Sequence, residues 1–221
     1  MKLGRPRLHF RRTDSTNRRA RELARAGAPH GTLVTADEQT AGRGRQGRTW
    51  AAPPGSAVLM SVVVREPSEI LPLTAAVAVC DACDALPCRI KWPNDVWIDR
   101  RKLAGILVEG RPQEGWAVLG VGLNVASAPE GLPATHLREH DPDATVPDTL
   151  RRLVAALDVR LAAPTDEILA DWRARDALVG EQVRWDGGTG AAAGIDETGA
   201  LLVDTGEGRV ALDAGEVHLL R

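Results

Sequence analysis

The hydrophobic pattern of the chain changes character once, near residues 174–178, and this change constrains the fold more than any other feature. Before it, a long apolar strand at 57–64 and a small-residue helix at 73–86 indicate a large core. After it, five short apolar segments follow one another, separated by turns rich in Gly, Asp and Glu. That spacing is typical of a small all-β barrel. We therefore predict a large α/β domain over residues 1–175 and a small β domain over 176–221.

The composition excludes several classes of protein. Of the 221 residues, 43% are hydrophobic and 26% charged, which is the balance of a globular chain with a buried core. The apolar stretches are far shorter than the roughly 20 residues that span a bilayer, and the opening MKLGRPRLHF lacks the apolar core of a secretory signal. We therefore expect a cytoplasmic protein without a membrane partner. The net charge of −2 argues against a globally basic nucleic-acid binder.

The cysteines do not indicate a disulfide framework or a zinc site. Cys80, Cys83 and Cys88 are odd in number, and the single Cys-x-x-Cys spacing lies inside a helical pattern with no second pair. We interpret all three as buried and structural. None of the five histidines lies in a motif with a nucleophile, so the sequence gives no support to triad chemistry.

The remaining elements are predicted from hydrophobic period and from cap residues. Good N-caps at 14–17 precede a predicted helix over 18–26, which Gly27 ends. Further helices are predicted over 149–161 and 165–173, and strands over 32–36, 89–92, 96–99, 102–109 and 116–125. The small domain has predicted strands at 182–185, 191–195, 200–204, 209–212 and 217–220.

The most unusual segment is GRGRQGRTW at residues 42–50. Three arginines interleaved with three glycines offer exposed backbone N–H groups and planar cationic side chains, which suit a triphosphate or a nucleic acid. A solvated flexible loop is the plainer alternative. The segment is not a phosphate loop of the usual NTPase kind, because Arg48 stands where lysine is required. The Pro-rich residues that follow also cannot begin the helix on which such a loop depends.

The second notable segment is KWPND at 91–95, followed by RKLAGILVE at 101–109. Only three of the 28 basic residues are lysine, and two of these, Lys91 and Lys102, lie here beside apolar runs. A lysine at the start of a buried strand can place its ammonium group at the edge of an apolar pocket. Asp95, in the intervening turn, could pair with that group or hold a metal. The alternative is an ordinary surface ion pair.

Two weaker signals complete the set. Gly120 and Gly122 alternate along the predicted strand 116–125, which also carries Asn124, and glycine at such positions allows a ligand or another backbone to approach closely. Tight packing explains the pattern equally well. The run Ser15-Thr16-Asn17 is more often simply a helix cap.

In this order, the segments resemble the biotin protein ligases. That family carries Ser-Thr-Asn near the start of its catalytic domain, then a Gln before GRGRxGRxW, and then KWPND, KLAGILVE and a GxGxN strand, all of which occur here. The resemblance runs from about residue 14 to the end of the chain. It implies an α+β fold, with a mixed sheet and flanking helices of the kind shared with class II aminoacyl-tRNA synthetases and lipoyl ligases. A small SH3-like β-barrel would follow.

The resemblance also implies roles for individual residues. Biotin would be bound by Ser15, Thr16, Asn17, Gln39, Arg43, Gly44, Arg45 and Lys102, the first four at its ureido head. The nucleotide would be bound by Arg43, Arg45, Arg48, Trp50, Asn94, Lys102, Gly122 and Asn124. The catalytic residues would be Lys102, which contacts the biotin carboxylate and the phosphate, together with Arg45 and Asp95. Asp95 would also hold the Mg²⁺ that accompanies ATP.

The implied activity is an ATP-dependent ligase reaction in two steps. Biotin and ATP would form biotinyl-5′-AMP, and a lysine of a carrier protein, such as the biotin carboxyl carrier domain of acetyl-CoA carboxylase, would then take the biotin. Some members of the family carry an N-terminal helix-turn-helix, but the Ser-Thr-Asn run lies so early here that we expect no binding to operator DNA. Monomer and homodimer both occur in the family and both stay open.

Two other functions compete with this interpretation. A lipoate ligase or an octanoyl transferase would share the fold, although KWPND and the Gly-Arg segment favour biotin. An RNA-binding module could use the arginines as a basic patch, but aromatic stacking residues are sparse.

Overall fold

The computed structural model describes residues 2–83 and 86–220, and these residues form two sheets and four α-helices. The larger sheet has seven strands in the order β1-β2-β3-β7-β6-β5-β4. They are β1 (Arg7–Thr13), β2 (Leu33–Gln39), β3 (Ala57–Arg65), β4 (Arg89–Lys91), β5 (Asp95–Ile98), β6 (Arg101–Arg111) and β7 (Trp116–Asn124). The helices are α1 (Thr16–Arg25), α2 (Leu71–Ala82), α3 (Val146–Arg160) and α4 (Thr165–Arg173). Because β1 runs parallel to β2 and the other paired neighbours are antiparallel, the sheet is mixed.

The two faces of the larger sheet are covered by different helices. Val62 and Val64 of β3 belong to the main core together with α2, while Val63 packs with α1. Successive side chains of a strand point to opposite faces, so α1 and α2 lie on opposite sides of the sheet. This explains why β3 is buried along its length up to Arg65 and why α2 is apolar nearly all round.

Strand β1 is absent from the sequence predictions. Its sequence, RLHFRRT, has only two large apolar residues, Leu8 and Phe10, among exposed arginines. Because β1 lies at the edge of the sheet, it needs little apolar surface, and Phe10 packs beneath α1. Charged side chains on an edge strand also discourage pairing with other chains.

Most predicted elements are present with shifted ends. Helix α4 coincides with its prediction. Strands β3 and β6 are longer than predicted by one or two residues at an end, and β7 ends one residue earlier than predicted. Helix α1 begins at Thr16, two residues before the predicted start, and Ser15 occupies the N-cap position without using its side chain there. Helix α2 runs from Leu71 to Ala82, so it begins two residues before the predicted range of 73–86. Residues 84 and 85 of that range lie outside the described residues.

The second sheet is antiparallel, with the strand order β11-β10-β9-β8-β12. Its strands are β8 (Gln182–Trp185), β9 (Gly188–Ile195), β10 (Leu201–Thr205), β11 (Gly208–Leu212) and β12 (His218–Leu219). Val183 and Val203 of this sheet, and Val217 just before β12, belong to the same core cluster as α2. Trp92 Nε1 donates to the Gly199 carbonyl at 3.0 Å, which ties the two sheets together. The boundary at residue 175 stays a prediction.

All three cysteines are free and buried, as the sequence indicates. Within residues 2–83 and 86–220, no helix is both long and apolar enough to cross a membrane.

Candidate active site

A cavity of about 390 Å³ lies on the α1 side of the larger sheet. It is lined by every residue that the sequence assigns to biotin, nucleotide or catalysis: Ser15, Thr16, Asn17, Gln39, Arg43, Gly44, Arg45, Arg48, Trp50, Asn94, Asp95, Lys102, Gly122 and Asn124. These residues come from the start of α1, the end of β2, the Gly-Arg loop and strands β5, β6 and β7. The fold therefore brings together residues that are far apart in the sequence.

The glycines of β7 make room on the floor of the cavity. A Cβ atom on Gly120 would lie 2.0 Å from Asn17 Oδ1, and one on Gly122 would lie 2.4 Å from Trp50 Cε2. Real carbon–carbon and carbon–oxygen contacts are much longer. The alternating glycines thus seat two side chains of this protein, an amide and an indole, directly on the strand.

The start of α1 carries a network of neutral hydrogen bonds at one end of the cavity. Gln39 Oε1 accepts from the Thr16 backbone N–H at 2.7 Å and from the Thr16 hydroxyl at 3.0 Å. The hydroxyl of Ser61 lies 2.6 Å from Asn17 Oδ1 and 2.8 Å from Thr16 Oγ1. Because the side chain of Ser15 makes no helix-cap bond, its hydroxyl is available to a ligand at the cavity wall.

Glu109 lies behind this network and joins it to the Gly-Arg loop. One of its carboxylate oxygens accepts from Asn17 Nδ2 at 3.0 Å. The other lies 3.2 Å from the Arg43 guanidinium and 3.3 Å from that of Arg21. A carboxylate that is largely buried is stabilised by such cationic partners, and here they tie the first loop arginine to α1.

The charged end of the cavity is formed around Lys102. Its ammonium lies 2.7 Å from Asp95 Oδ1 and 5.7 Å from the centre of the Trp50 ring. Lys102 is one-third exposed, so the ammonium is open to the cavity. Asn17 also donates a hydrogen bond to the carbonyl of Leu107 on β6. Because successive residues of a strand are about 3.4 Å apart along its axis, Lys102 lies far along β6 from this contact. The cavity therefore has a neutral hydrogen-bonding end and a cationic end.

The Gly-Arg loop is held by contacts to both sheets. Arg45 donates to Asn94 Oδ1 at 3.1 Å and to the carbonyl of Gly215 at 2.9 Å. Arg48 forms an ion pair with Glu216. Desolvation of the half-buried guanidinium lowers the pKa of Arg45, although arginine stays charged at neutral pH. Gly215 and Glu216 lie in the connection between β11 and β12, so this connection of the second sheet contributes directly to the position of the loop.

Apart from Asp95 Oδ1, which lies 2.7 Å from the Lys102 ammonium, two buried polar atoms at the cationic end have no hydrogen-bond partner among the residues described. They are Trp50 Nε1, a donor, and Asn124 Oδ1, an acceptor, and both residues line the cavity. Buried polar groups are nearly always hydrogen-bonded, so a polar ligand would complete this part of the site.

The cavity offers little to a metal ion by itself. Asp95 is the one carboxylate among its lining residues, and the described part of the chain contains no cluster of three potential metal ligands. Mg²⁺ commonly uses one or two carboxylates together with substrate phosphates. The donor set therefore fits a magnesium ion that triphosphate oxygens hold and Asp95 assists.

Sequence reasoning missed the residues that support the site from behind. Glu109 was identified only as the end of a motif, and neither Ser61 nor Glu216 was singled out. Ser61 is the polar residue in the middle of the buried run AVLMSVVV, a signal that could have found it, because a buried hydroxyl needs a partner. Glu216 meets Arg48 only through the fold, and no local pattern marks it.

Comparison with known proteins places this cavity in a class. Residues 9–125 match the family model described as "Biotin/lipoate A/B protein ligase family". That match covers more than half of the chain, which therefore belongs to this family. Residues 180–220 match a second model, "Biotin protein ligase C terminal domain". Together the two matches and the relatives below show that the chain falls among the biotin protein ligases.

The relatives agree with this placement. The chain is 39% identical to a biotin–[acetyl-CoA-carboxylase] ligase of Mycobacterium tuberculosis, with 95% of this chain and 87% of that protein aligned. It is 35% identical to the protein of the same name from Paracoccus denitrificans, with 93% and 97% aligned. A biotin protein ligase from Aquifex aeolicus in complex with biotin and ATP superimposes with a TM-score of 0.85 at 29% identity, and the match covers 97% of this chain and 98% of the other. The predicted fold class, a mixed sheet with flanking helices followed by a small SH3-like β unit, is confirmed.

Proposed function

We propose that the protein is an ATP-dependent biotin protein ligase, which forms biotinyl-5′-AMP and then transfers biotin to a lysine of a carrier protein. The observation that carries this proposal is the polarity of the cavity, with neutral hydrogen-bonding groups at one end and Lys102, Arg45 and Asp95 at the other. Biotin has the same polarity, since a ureido ring lies at one end and a carboxylate at the other.

The neutral end would receive the ureido head. Ser15, Thr16, Asn17 and Gln39 supply hydroxyl, amide and carbonyl groups there, and Thr16, Asn17 and Gln39 are already joined by hydrogen bonds, directly or through Ser61. A preformed network of this kind positions a ligand at low cost in entropy. The assignment of these residues to biotin is part of the proposal.

The cationic end would carry out adenylation. A carboxylate oxygen of biotin attacks the α-phosphorus of ATP, the bond from that phosphorus to the bridging oxygen breaks, and pyrophosphate leaves. Lys102 and Arg45 would neutralise the charge that develops as two anions meet. Arg43, whose guanidinium pairs with Glu109, would bind biotin and the nucleotide from the same loop. Asn94, Gly122 and Asn124 would line the nucleotide site. Mg²⁺, held by the phosphates and Asp95, would withdraw charge from the leaving group.

The second step needs protection from water. Biotinyl-5′-AMP is a mixed anhydride, which water would hydrolyse, so a loop that closes over it preserves it for the acceptor lysine. We assign this role to residues 42–50, with Arg48 and Trp50 at the far end of the loop. The acceptor's amine attacks the biotinyl carbonyl, and AMP leaves. We propose the carrier domain of acetyl-CoA carboxylase as the acceptor, and the cytoplasm as the place of the reaction.

The direct test is pyrophosphate release from ATP and Mg²⁺ with biotin, with lipoate and with octanoate as three separate acids. Release that depends on biotin alone, followed by labelling of a carrier domain, is the expected result. Release with lipoate or octanoate instead would refute the assignment to biotin. If none of the three acids causes pyrophosphate release, and the protein binds RNA tightly and in a salt-sensitive manner, the Gly-Arg loop would instead be a nucleic-acid surface.

A further inference from the structure

The side chain of Asn17 is fixed in one orientation by groups behind the cavity. Its amide nitrogen lies 3.0 Å from a carboxylate oxygen of Glu109 and 3.3 Å from the carbonyl of Leu107. A carboxylate oxygen and a backbone carbonyl oxygen both accept hydrogen bonds and do not donate them. Turning the amide over would set its oxygen against two other oxygens with no proton between them. The nitrogen must therefore face Glu109 and the oxygen must face Ser61.

In this orientation the Asn17 side chain can only accept a hydrogen bond from a ligand. Both amide hydrogens are used, one by Glu109 and one by Leu107. The oxygen accepts from the Ser61 hydroxyl at 2.6 Å, which occupies one of its two lone pairs. The remaining lone pair can only accept, so a head group that is to bond with Asn17 must bring an N–H or O–H donor.

Ser61 and Glu109 do not line the cavity themselves. Ser61 is fully buried in the centre of β3, and neither residue belongs to the cavity wall. Glu109 also lies against Arg43 and Arg21, so its charge is held in place by two cations from separate segments. A carboxylate anchored in this way is held within hydrogen-bond distance of the Asn17 amide.

We propose that Ser61 and Glu109 are positioning residues for head-group selection, which clamp the Asn17 amide from both sides so that it accepts a ureido N–H. The inference rests on the proposed function, since it explains how the neutral end of the cavity prefers a ring with N–H donors. A dithiolane ring, as in lipoate, has no such donor and gains nothing from the clamp.

A pair of substitutions at Asn17 and Glu109 tests the clamp directly. In Asn17→Asp, a new carboxylate faces that of Glu109, and we expect the Kd for biotin to rise on the order of a hundredfold. In Glu109→Gln alone, the new amide oxygen still accepts from Asn17, so the Kd should rise only about threefold. The double variant sets an amide donor at position 109 opposite the carboxylate at position 17. It should bind biotin about tenfold more tightly than Asn17→Asp.

Two further variants complete the experiment. Ser61→Ala should raise the KM for biotin about tenfold while the KM for ATP stays within about twofold, because the hydrogen bond that it removes orients the head-group site alone. Glu22→Gln is the matched control: it removes a carboxylate that pairs with arginines of the same helix, on the exposed side. The control should leave both KM values unchanged, and melting temperatures show whether each variant is folded.

The outcomes separate the inference from the proposed function. If the double variant binds biotin no better than Asn17→Asp, or if Ser61→Ala raises both KM values equally, the clamp is refuted. Should Asn17→Asp fail to fold, the KM split in Ser61→Ala decides alone. A wild-type protein that releases no pyrophosphate with biotin would instead refute the proposed function.

Discussion

Replacing Gly122 by alanine should disable the enzyme without unfolding it. The added Cβ would lie 2.4 Å from Trp50 Cε2, 2.7 Å from Cζ2 and 2.8 Å from Cδ2. Carbon atoms that touch are about 3.5–4.0 Å apart, so the indole must retreat by at least about 1 Å. The strand cannot yield instead, because Gly122 is paired with Leu59 on one side and with Gly105 on the other.

The size of the effect follows from this displacement. A misplacement of about 1 Å near reacting groups can cost on the order of a hundredfold in rate, and we expect that reduction in kcat/KM for biotin adenylation. Stability should change by less than about 1 kcal/mol. Alanine at a compatible strand position gains roughly 0.4–1 kcal/mol through the unfolded chain, and this gain offsets the weaker packing of the displaced ring.

Pyrophosphate release, retention of labelled adenylate and the melting temperature together measure these effects. Gly206→Ala is the matched control, because no atom lies within 4 Å of its added Cβ, and it should behave as wild type. In a Trp50→Ala background, Gly122→Ala should cause no further decrease. Activity of Gly122→Ala within about threefold of wild type would refute the reasoning, and so would an equal decrease in both backgrounds.

Three other changes test separate parts of the site and fold. Lys102→Ala removes charge-assisted hydrogen bonds of roughly 1.5–3 kcal/mol each. Adenylation should slow on the order of tenfold or more for every such bond to the substrates. If Lys102→Ala were as active as the exposed control Lys2→Ala, the role of Lys102 would be disproved. Glu216→Gln weakens the ion pair to Arg48 and should make the enzyme release biotinyl-5′-AMP into solution about two- to fivefold faster, as a partly exposed pair is worth up to about 1 kcal/mol. High salt should reduce the difference in release rate between Glu216→Gln and wild type. The control Glu207→Gln should release biotinyl-5′-AMP at the wild-type rate. Asp176→Asn should stabilise the protein at pH 7, since burial raises the pKa of Asp176 and the ionised form is disfavoured in the fold. Because the native state holds this proton more tightly, the carboxyl contributes stability below its unfolded pKa, and that stability disappears as the pH rises through the folded value. In denaturant titrations, Asp176→Asn should therefore have a larger free energy of unfolding than wild type at neutral pH, and this difference should disappear in acid. A difference that does not depend on pH would contradict this account.

The residues that touch the cavity could be predicted, whereas those that hold them in place could not. The Gly-Arg loop, Lys102 and Asp95 stand out because their residue types are unusual at those positions, and the structure brings them to one cavity. Glu109 ends an apolar strand, where a charged residue attracts no notice. Its partners Asn17, Arg21 and Arg43 lie far away in the sequence, so its role exists only in the folded chain.

The fold shows the same division. Strands β3, β6 and β7 were predictable because both faces of the sheet are buried, which leaves long apolar runs in the sequence. Strand β1 was not, because an edge strand needs little apolar surface and its arginines resemble a loop. The start of α1 was predicted too late because several good cap residues follow one another at 14–17. The structure shows that Ser15 holds the N-cap position.

The partners of the Gly-Arg loop at Gly215 and Glu216 set an order for biosynthesis. The ribosome delivers the loop early, but the carbonyl that receives Arg45 emerges 170 residues later, followed at once by the carboxylate that receives Arg48. Strand β12, which closes the second sheet against β8, emerges later still. A nascent chain can therefore build most of the larger sheet during translation. It acquires an anchored loop only after residues 215 and 216 have left the exit tunnel, so a chain released before that point would lack the contacts that help to retain biotinyl-5′-AMP.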